Sequence, residues 1–364
     1  MKITFLTPSD NLSGGTRVIA AHARALLELG HEVLVVSNAP ERLHWADRWR
    51  REWCSGHSPT PAATQGHIAL SGVPHRVLER HRPIVADDLP DADIVVATWW
   101  ETAVWMHALP RAKGANVHLI QGYETWVAGT HERVHAALRL PNHKVVISGA
   151  LACELERAVG PLPLRVVPNA VDLQLFDAAP RGRQPRPTVG FTYASAAMKG
   201  SDLALAALSR LRTRCPDLQV LALGEDPPQR QLPLPPGALH HRRPPQEALP
   251  GLYAACDAWL FSSRRDSFGL PMLEAMACRT PVVAVDVGAA AELLATGGGV
   301  LVPRDDEVAL AQGLEQLLLG SDAAWLRFSH RAHARAHAYS WQDASRALLQ
   351  VFEQALDTGD RRAA

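Results

Sequence analysis

Ser262-Ser263-Arg264-Arg265-Asp266-Ser267-Phe268-Gly269-Leu270-Pro271-Met272-Leu273-Glu274-Ala275-Met276-Ala277 is the most informative stretch of the chain. It follows the apolar run Trp259–Phe261, so a strand, a polar loop and a helix start succeed one another. Pro271 suits the first turn of a helix, where its missing N–H costs nothing. Gly269 lets the backbone approach a ligand closely. The unbonded N–H groups and the dipole of such a helix start favour an anion. Asp266 on the loop and Glu274 on the helix stand eight positions apart. Two carboxylates beside an anion site are poor phosphate ligands but suit sugar hydroxyls, each such charged hydrogen bond contributing about 1.5–3 kcal/mol.

Outward from this stretch, short β-rich runs alternate with helical patterns, the signature of a parallel sheet wrapped by helices. In the first half Ile3–Thr7, Glu32–Ser37, Asp93–Thr98, Val117–Gln121 and Lys144–Ser148 read as strands. Thr16–Leu29 reads as a helix with Val18, Ile19, Ala25, Leu26 and Leu29 on one stripe, stopped by Gly30. Residues 161–187 are rich in Pro and Arg and read as an interdomain linker. The alternation then restarts with strands at Thr188–Thr192, Leu218–Leu223, Asp257–Phe261, Pro281–Val285 and Val300–Val302. Helices are expected at Ser201–Arg214, Gln246–Ala255, Pro271–Ala277 and Asp306–Leu319, and residues 226–245 read as a Pro-rich loop. The last helix, from about Trp341 to Leu356, has no strand after it.

The chain has 364 residues, more than one core of about 250–300 residues organises, so two domains are expected. Its 37 Lys+Arg balance 37 Asp+Glu, which argues against a nucleic-acid binder working by bulk phosphate neutralisation. No apolar stretch approaches the ~20 residues of a membrane span. Ile3–Leu6 is too short for a signal peptide, so a cytoplasmic location is expected. Cys54, Cys153, Cys215, Cys256 and Cys278 contain no C-x-x-C pair and read as small hydrophobes in a reducing compartment.

Four further segments add to the opening stretch. These are Ser13-Gly14-Gly15-Thr16-Arg17 with Leu29-Gly30-His31-Glu32-Val33, then Val167-Pro168-Asn169-Ala170-Val171-Asp172, Met198-Lys199-Gly200, and Ala275-Met276-Ala277-Cys278-Arg279-Thr280-Pro281-Val282-Val283. In order and spacing they resemble the glycine loop and second strand, the domain junction, the phosphate-binding lysine motif and the segment after the second carboxylate of family 4 glycosyltransferases, whose acidic-x7-acidic signature the opening stretch itself resembles. The resemblance covers nearly the whole chain. It implies an α/β architecture of two Rossmann-like domains facing each other across a cleft, the GT-B fold, and retention of anomeric configuration. Residues 1–168 would form the acceptor-side domain and 169–340 the donor-side domain, with the helix at about 341–358 packing back on the first.

Residue by residue, the resemblance implies that Lys199 neutralises the diphosphate of a nucleotide sugar, in place of a metal. Glu274 would bind the ribose and Asp266 the donor sugar. Phe268, Gly269 and Leu270 would present backbone to the sugar and distal phosphate. Gly14 and Gly15 would approach the phosphates or the acceptor, and the loop at Arg243-Pro244 would hold the base. Arg17, Gln121, Tyr123 and Glu124 are candidate acceptor-side residues. The co-substrate would be a nucleotide sugar and the acceptor a carbohydrate or lipid-linked hydroxyl; neither metal nor nucleic acid is expected.

Three departures stand out. Asp266 replaces the usual Glu and is shorter by roughly 1.5 Å. Tyr193 stands where an Arg is often found, with Arg17, Arg264 and Arg265 as candidate substitutes. Gln121 stands near the usual His. Rival readings remain. An epimerase or a non-catalytic nucleotide-sugar binder would share the fold. His131-Glu132-Arg133-Val134-His135 is a literal H-E-x-x-H, with Glu154 as a conceivable third ligand for a zinc protease. Trp45, Trp49 and Trp53, interleaved with Arg48, Arg50 and Arg51, suggest an interfacial helix touching a membrane, a sugar platform, or core packing.

Overall fold

The structure, a computed structural model, describes residues 1–39, 66–126 and 129–361. The tryptophan–arginine segment Trp45–Trp53 and Cys54 lie outside them. The chain divides into two compact units. Unit 1 comprises Met1–Ile147, Glu154–Val167 and Gln342–Ala364, and unit 2 comprises Ser148–Cys153 and Pro168–Trp341.

Unit 1 is built on strands β1 (Lys2–Thr7), β2 (Glu32–Ser37), β3 (His75–Val77), β4 (Ile94–Ala97), β5 (Ala115–Ile120), β6 (His143–Val146) and β7 (Leu164–Val166). They form one seven-stranded sheet in the order β3-β2-β1-β4-β5-β6-β7, with every pairing parallel. Its central strands are continuous apolar runs, because helices cover both faces of a parallel sheet. Phe5, Val95, Val96 and Leu119 are fully buried. The helix Gly14–Glu28 starts at Ser13, whose side chain accepts from Thr16 N–H. It ends before Gly30, which adopts φ +86°. The last helix, Trp341–Arg361, buries Leu348, Val351, Phe352 and Ala355, and its Ser345 hydroxyl meets His22 Nδ1 at 3.0 Å.

Unit 2 carries β8 (Thr188–Thr192), β9 (Gln219–Gly224), β10 (Leu239–Arg242), β11 (Ala258–Phe261), β12 (Val282–Val285) and β13 (Gly299–Val302). The sheet order is β10-β9-β8-β11-β12-β13, again all parallel. Phe191, Trp259, Leu260 and Val283 fill its core. In each unit the chain leaves a central strand toward one edge and later returns to its other side. That reversal falls between β1 and β4 and between β8 and β11. Ligands of open α/β sheets bind at the carboxyl ends of such strand pairs.

The structure adds elements the sequence pattern does not announce. β7 lies within the supposed linker and β10 within the supposed Pro-rich loop. Both pair on one side only and are largely exposed, so neither needs an apolar run. The helix Asp322–Ala336 buries Trp325, Ser329, Ala332 and Ala336, mostly small residues that leave little hydrophobic periodicity.

Candidate active site

In unit 2 the candidate residues gather where β8 and β11 end. After β8 the chain makes a short 3-10 turn, Ala197–Lys199, and enters the helix Ser201–Arg212 through Gly200. Gly200 has φ +64°, and a Cβ there would lie 1.9 Å from the carbonyl oxygen of Ser262. Only glycine allows this close approach. The Ser262 hydroxyl donates to Gly200 O at 2.8 Å, and Arg264 N–H donates to Met198 O at 2.9 Å. The lysine turn and the acidic loop are thus laced together. The result is an ion pair: Lys199 Nζ lies 3.2 Å from Asp266 Oδ2. The other carboxylate oxygen of Asp266 accepts from Phe268 N–H at 3.2 Å.

Gly269 caps the helix Leu270–Ala277 with φ +89°, and no side chain caps that helix start. A Cβ at Gly269 would meet Met272 Cε at 2.3 Å, so the glycine serves the chain's own packing there. Phe268 is buried beneath the loop, and Leu270 opens the helix. Glu274 lies on the buried side of the same helix, 4% exposed, and its Oε2 accepts from the Tyr253 hydroxyl at 2.7 Å. Tyr253 is itself held edge-on against Trp259, with ring centroids 4.6 Å apart. Sequence reasoning missed Tyr253, because a tyrosine in a short helix carries no motif.

Arg243 directly follows β10 and has φ +48°, a left-handed conformation rare for a side-chain-bearing residue. Its N–H donates to Gly224 O at 2.8 Å. Arg243 and Arg242 add to the field on Asp226, whose carboxyl is held below the usual range mainly by the Ser195 hydroxyl and backbone N–H. Arg243 therefore stands at the carboxyl edge of the sheet, in the loop layer that carries Lys199.

Residues 186–319 match the family described as "Glycosyl transferases group 1". Over 392 residues the chain is 27% identical to the phosphatidyl-myo-inositol mannosyltransferase of Mycolicibacterium smegmatis, covering 99% of this chain and 95% of that protein. Among solved structures it is similar to sucrose-phosphate synthase from Thermosynechococcus elongatus. That likeness has a TM-score of 0.75 and 18% identity, over 98% of this chain and 100% of that one. It is also similar to Anabaena HepE in complex with UDP and glucose, with a TM-score of 0.74 and 18% identity, over 97% of this chain and 100% of that one. The chain is a glycosyltransferase whose residues 186–319 carry the group 1 domain. Its two parallel sheets are those of the GT-B fold.

The Tyr193 departure of the transferase and two of its candidate substitute cations now have a physical reading. Tyr193 is no cation substitute: its side chain is buried, its hydroxyl donates to Leu232 O at 2.9 Å, and it accepts from Gln229 N–H at 2.8 Å. It pins the Pro-rich loop. Arg264 is corrected from a free phosphate cation to a strut. Its guanidinium makes two 2.8 Å bonds to Asp202, one of 2.6 Å to Asp305, and one of 2.9 Å to Ala197 O. Arg265 is half-buried beside it, its N–H 3.2 Å from Met198 O.

In unit 1 of the transferase, Gly14 and Gly15 open the first helix and Arg17 follows, half-buried. The Gln121 amide lies over Gly15, its oxygen 3.6 Å from where a Cβ would stand. The structure therefore brings together the glycine loop after β1 and the end of β5. Tyr123 OH contacts His135 Nε2 at 2.6 Å, with the rings stacked. Glu124 is buried, and its Oε2 accepts from Trp100 N–H at 2.8 Å. Burial pushes its carboxyl well above the usual carboxylate range, the Trp100 N–H drawing it back and Glu101 adding to the rise. Its place is at the start of the helix Trp100–His107, a supporting task rather than an exposed acceptor contact.

The H-E-x-x-H reading is corrected as well. His131 Nε2 lies 2.9 Å from Thr125 O and His135 is engaged by Tyr123. Among the described residues, a different trio, Asp177, His333 and His337, has its potential ligand atoms all within 4.8 Å of one another.

Proposed function

We propose that this transferase moves a glycosyl group from a nucleotide diphosphate sugar to an acceptor hydroxyl with retention. Lys199 serves as the cation for the diphosphate, and Asp266 and Glu274 bind hydroxyls. The observation that carries this reading is the Lys199–Asp266 pair at 3.2 Å, at the ends of β8 and β11. A half-exposed pair of this kind is worth about 1 kcal/mol or less, so a dianionic diphosphate displaces Asp266 from the lysine with little resistance. Asp266 then turns to the sugar hydroxyls. As the bond from the anomeric carbon to the phosphate oxygen breaks, negative charge grows on the diphosphate. Lys199 stabilises that charge more in the transition state than in the ground state. The acceptor oxygen attacks from the face the phosphate leaves, and its proton passes to the departing phosphate oxygen. No protein nucleophile and no metal has a role in this scheme.

The mannosyl- and inositol glycosyltransferase relatives, and the neighbour that holds UDP-glucose, set the order in which donors are tried: nucleotide diphosphate forms of mannose and glucose first, with inositol-bearing and lipid-linked acceptors. Among the described residues no helix is long and apolar enough to cross a membrane. A cytoplasmic enzyme reaching a lipid-linked acceptor at the inner membrane face is part of the proposal. A thermal-shift screen of donors, followed by NMR of the product, tests it. A true donor at about 100 times its Kd adds about 2.7 kcal/mol of stability. Expected is one preferred donor and a product keeping the donor's anomeric configuration. An inverted product, an epimerised donor without any acceptor, or binding without turnover would contradict it.

A further inference from the structure

We propose that Asp177, His333 and His337 form a binding site for a divalent transition-metal ion of the zinc class, none of the three belonging to the donor site. His333 lies in the last turn of the helix Asp322–Ala336, and His337 caps its end. Residues four apart share a helix face, so both rings point the same way. Their centroids are 4.0 Å apart. Both reach one carboxylate: Asp177 Oδ1 lies 2.9 Å from His333 Nε2 and 3.6 Å from His337 Nε2. A tetrahedral ion with metal–nitrogen bonds of about 2.0–2.1 Å holds its ligand atoms roughly 3.3 Å apart. The observed separations bracket that value. Two imidazoles and one carboxylate, with a position left for water, is a zinc-type donor set, unsuited to magnesium or calcium, which take oxygen ligands.

The trio is held in place by its neighbours. Phe176, adjacent to Asp177, is buried against Tyr253. Ala178 O, on the other side, accepts from Arg279 Nε at 2.7 Å. One helix turn before His333, the Ser329 hydroxyl donates to Arg279 O at 2.8 Å. A helix carboxyl end also carries partial negative charge that favours a cation. The contrast with His131 and His135 is direct. That pair has the same spacing, but its rings are taken up by Thr125 O and the Tyr123 hydroxyl and share no carboxylate. A bound ion would tie the segment entering unit 2 to the end of the helix Asp322–Ala336.

Isothermal titration of zinc chloride into the full chain, purified without a histidine tag and stripped with chelator, tests this. Expected is about one equivalent bound at Kd of roughly 10 µM or tighter, unaffected by excess magnesium. His337→Ala and Asp177→Asn, each with an unchanged circular dichroism spectrum, are expected to weaken binding about 10-fold or more. His131→Ala is the control and should bind as the parent does. Cobalt in place of zinc is expected to give a visible absorption band that His337→Ala abolishes. No saturable binding to the parent, equal binding by His337→Ala and Asp177→Asn, or loss of binding in His131→Ala would overturn the site.

Discussion

Lys199 and Asp266 hold each other in the free protein, and that has a consequence for each partner of the donor. A nucleoside diphosphate without its sugar needs Lys199 but not Asp266. Asp266→Asn removes the competing carboxylate while keeping the Phe268 N–H contact within reach of the amide oxygen. This variant is expected to bind the bare diphosphate as well as the parent or up to about fivefold tighter, matching a pair worth about 1 kcal/mol or less. It should also lose about 10-fold or more in kcat/KM for the full donor, as removal of a charged hydrogen bond implies. Calorimetry with the diphosphate beside initial-rate kinetics measures both. Weaker diphosphate binding in Asp266→Asn would show that the carboxylate does not compete for the lysine. At the same scale, Tyr253 shows what a motif leaves out. Its hydroxyl bonds Glu274 at 2.7 Å from a helix 21 positions away in sequence, a pairing that exists only after β11 has aligned the two helices.

At the scale of elements, the decisive turn is the one through Gly200. An alanine there has to adopt a left-handed φ and push against a backbone oxygen that β11 holds in place. Strain of this kind costs about 1–3 kcal/mol, and it would shift the lysine turn. Gly200→Ala is therefore expected to lower the melting temperature by several degrees and to raise the donor KM; a variant melting with the parent and turning over normally would place the strain elsewhere. The central strands and the Lys199, Asp266 and Glu274 segments are legible in sequence because buried parallel strands are apolar runs and the loops between them hold Gly and Pro at fixed offsets. What is illegible has a physical cause too. β7 and β10 are half-exposed edges with no run to find. Arg264 reads as a cation near phosphate in sequence, and only the fold brings Asp202 and Asp305 to it. The Asp177 site joins residues 156 positions apart, so no local pattern announces it.

At the scale of the molecule, unit 1 hides two histidines at its core. Burial lowers His118 to about 3, with Lys144 on the neighbouring strand lowering it further, and burial lowers His22 to about 4. Both folded values lie below the unfolded value of about 6.5, so the unfolded chain takes up more protons as the pH falls. The stability these rings contribute is complete above about pH 6.5 and is lost toward their folded values. Each is expected to cost about 2 kcal/mol between pH 7 and pH 5. Urea unfolding at the two pH values should show the lower midpoint at pH 5, and His118→Met should reduce the difference; a midpoint independent of pH would mean the rings are not buried in neutral form. Unit 2 is where the chemistry is assigned, since the ends of β8 and β11 carry both the lysine and the acidic loop. The most direct measurement is the transfer rate of Lys199→Ala with the preferred donor. The lysine is half-exposed and its removal leaves the core untouched, so the melting temperature is expected to stay within about two degrees of the parent. kcat is expected to fall about 100-fold or more, the usual loss when a preorganised group that stabilises the leaving charge is deleted. A folded Lys199→Ala enzyme turning over within threefold of the parent would contradict the assignment of the donor diphosphate to this lysine.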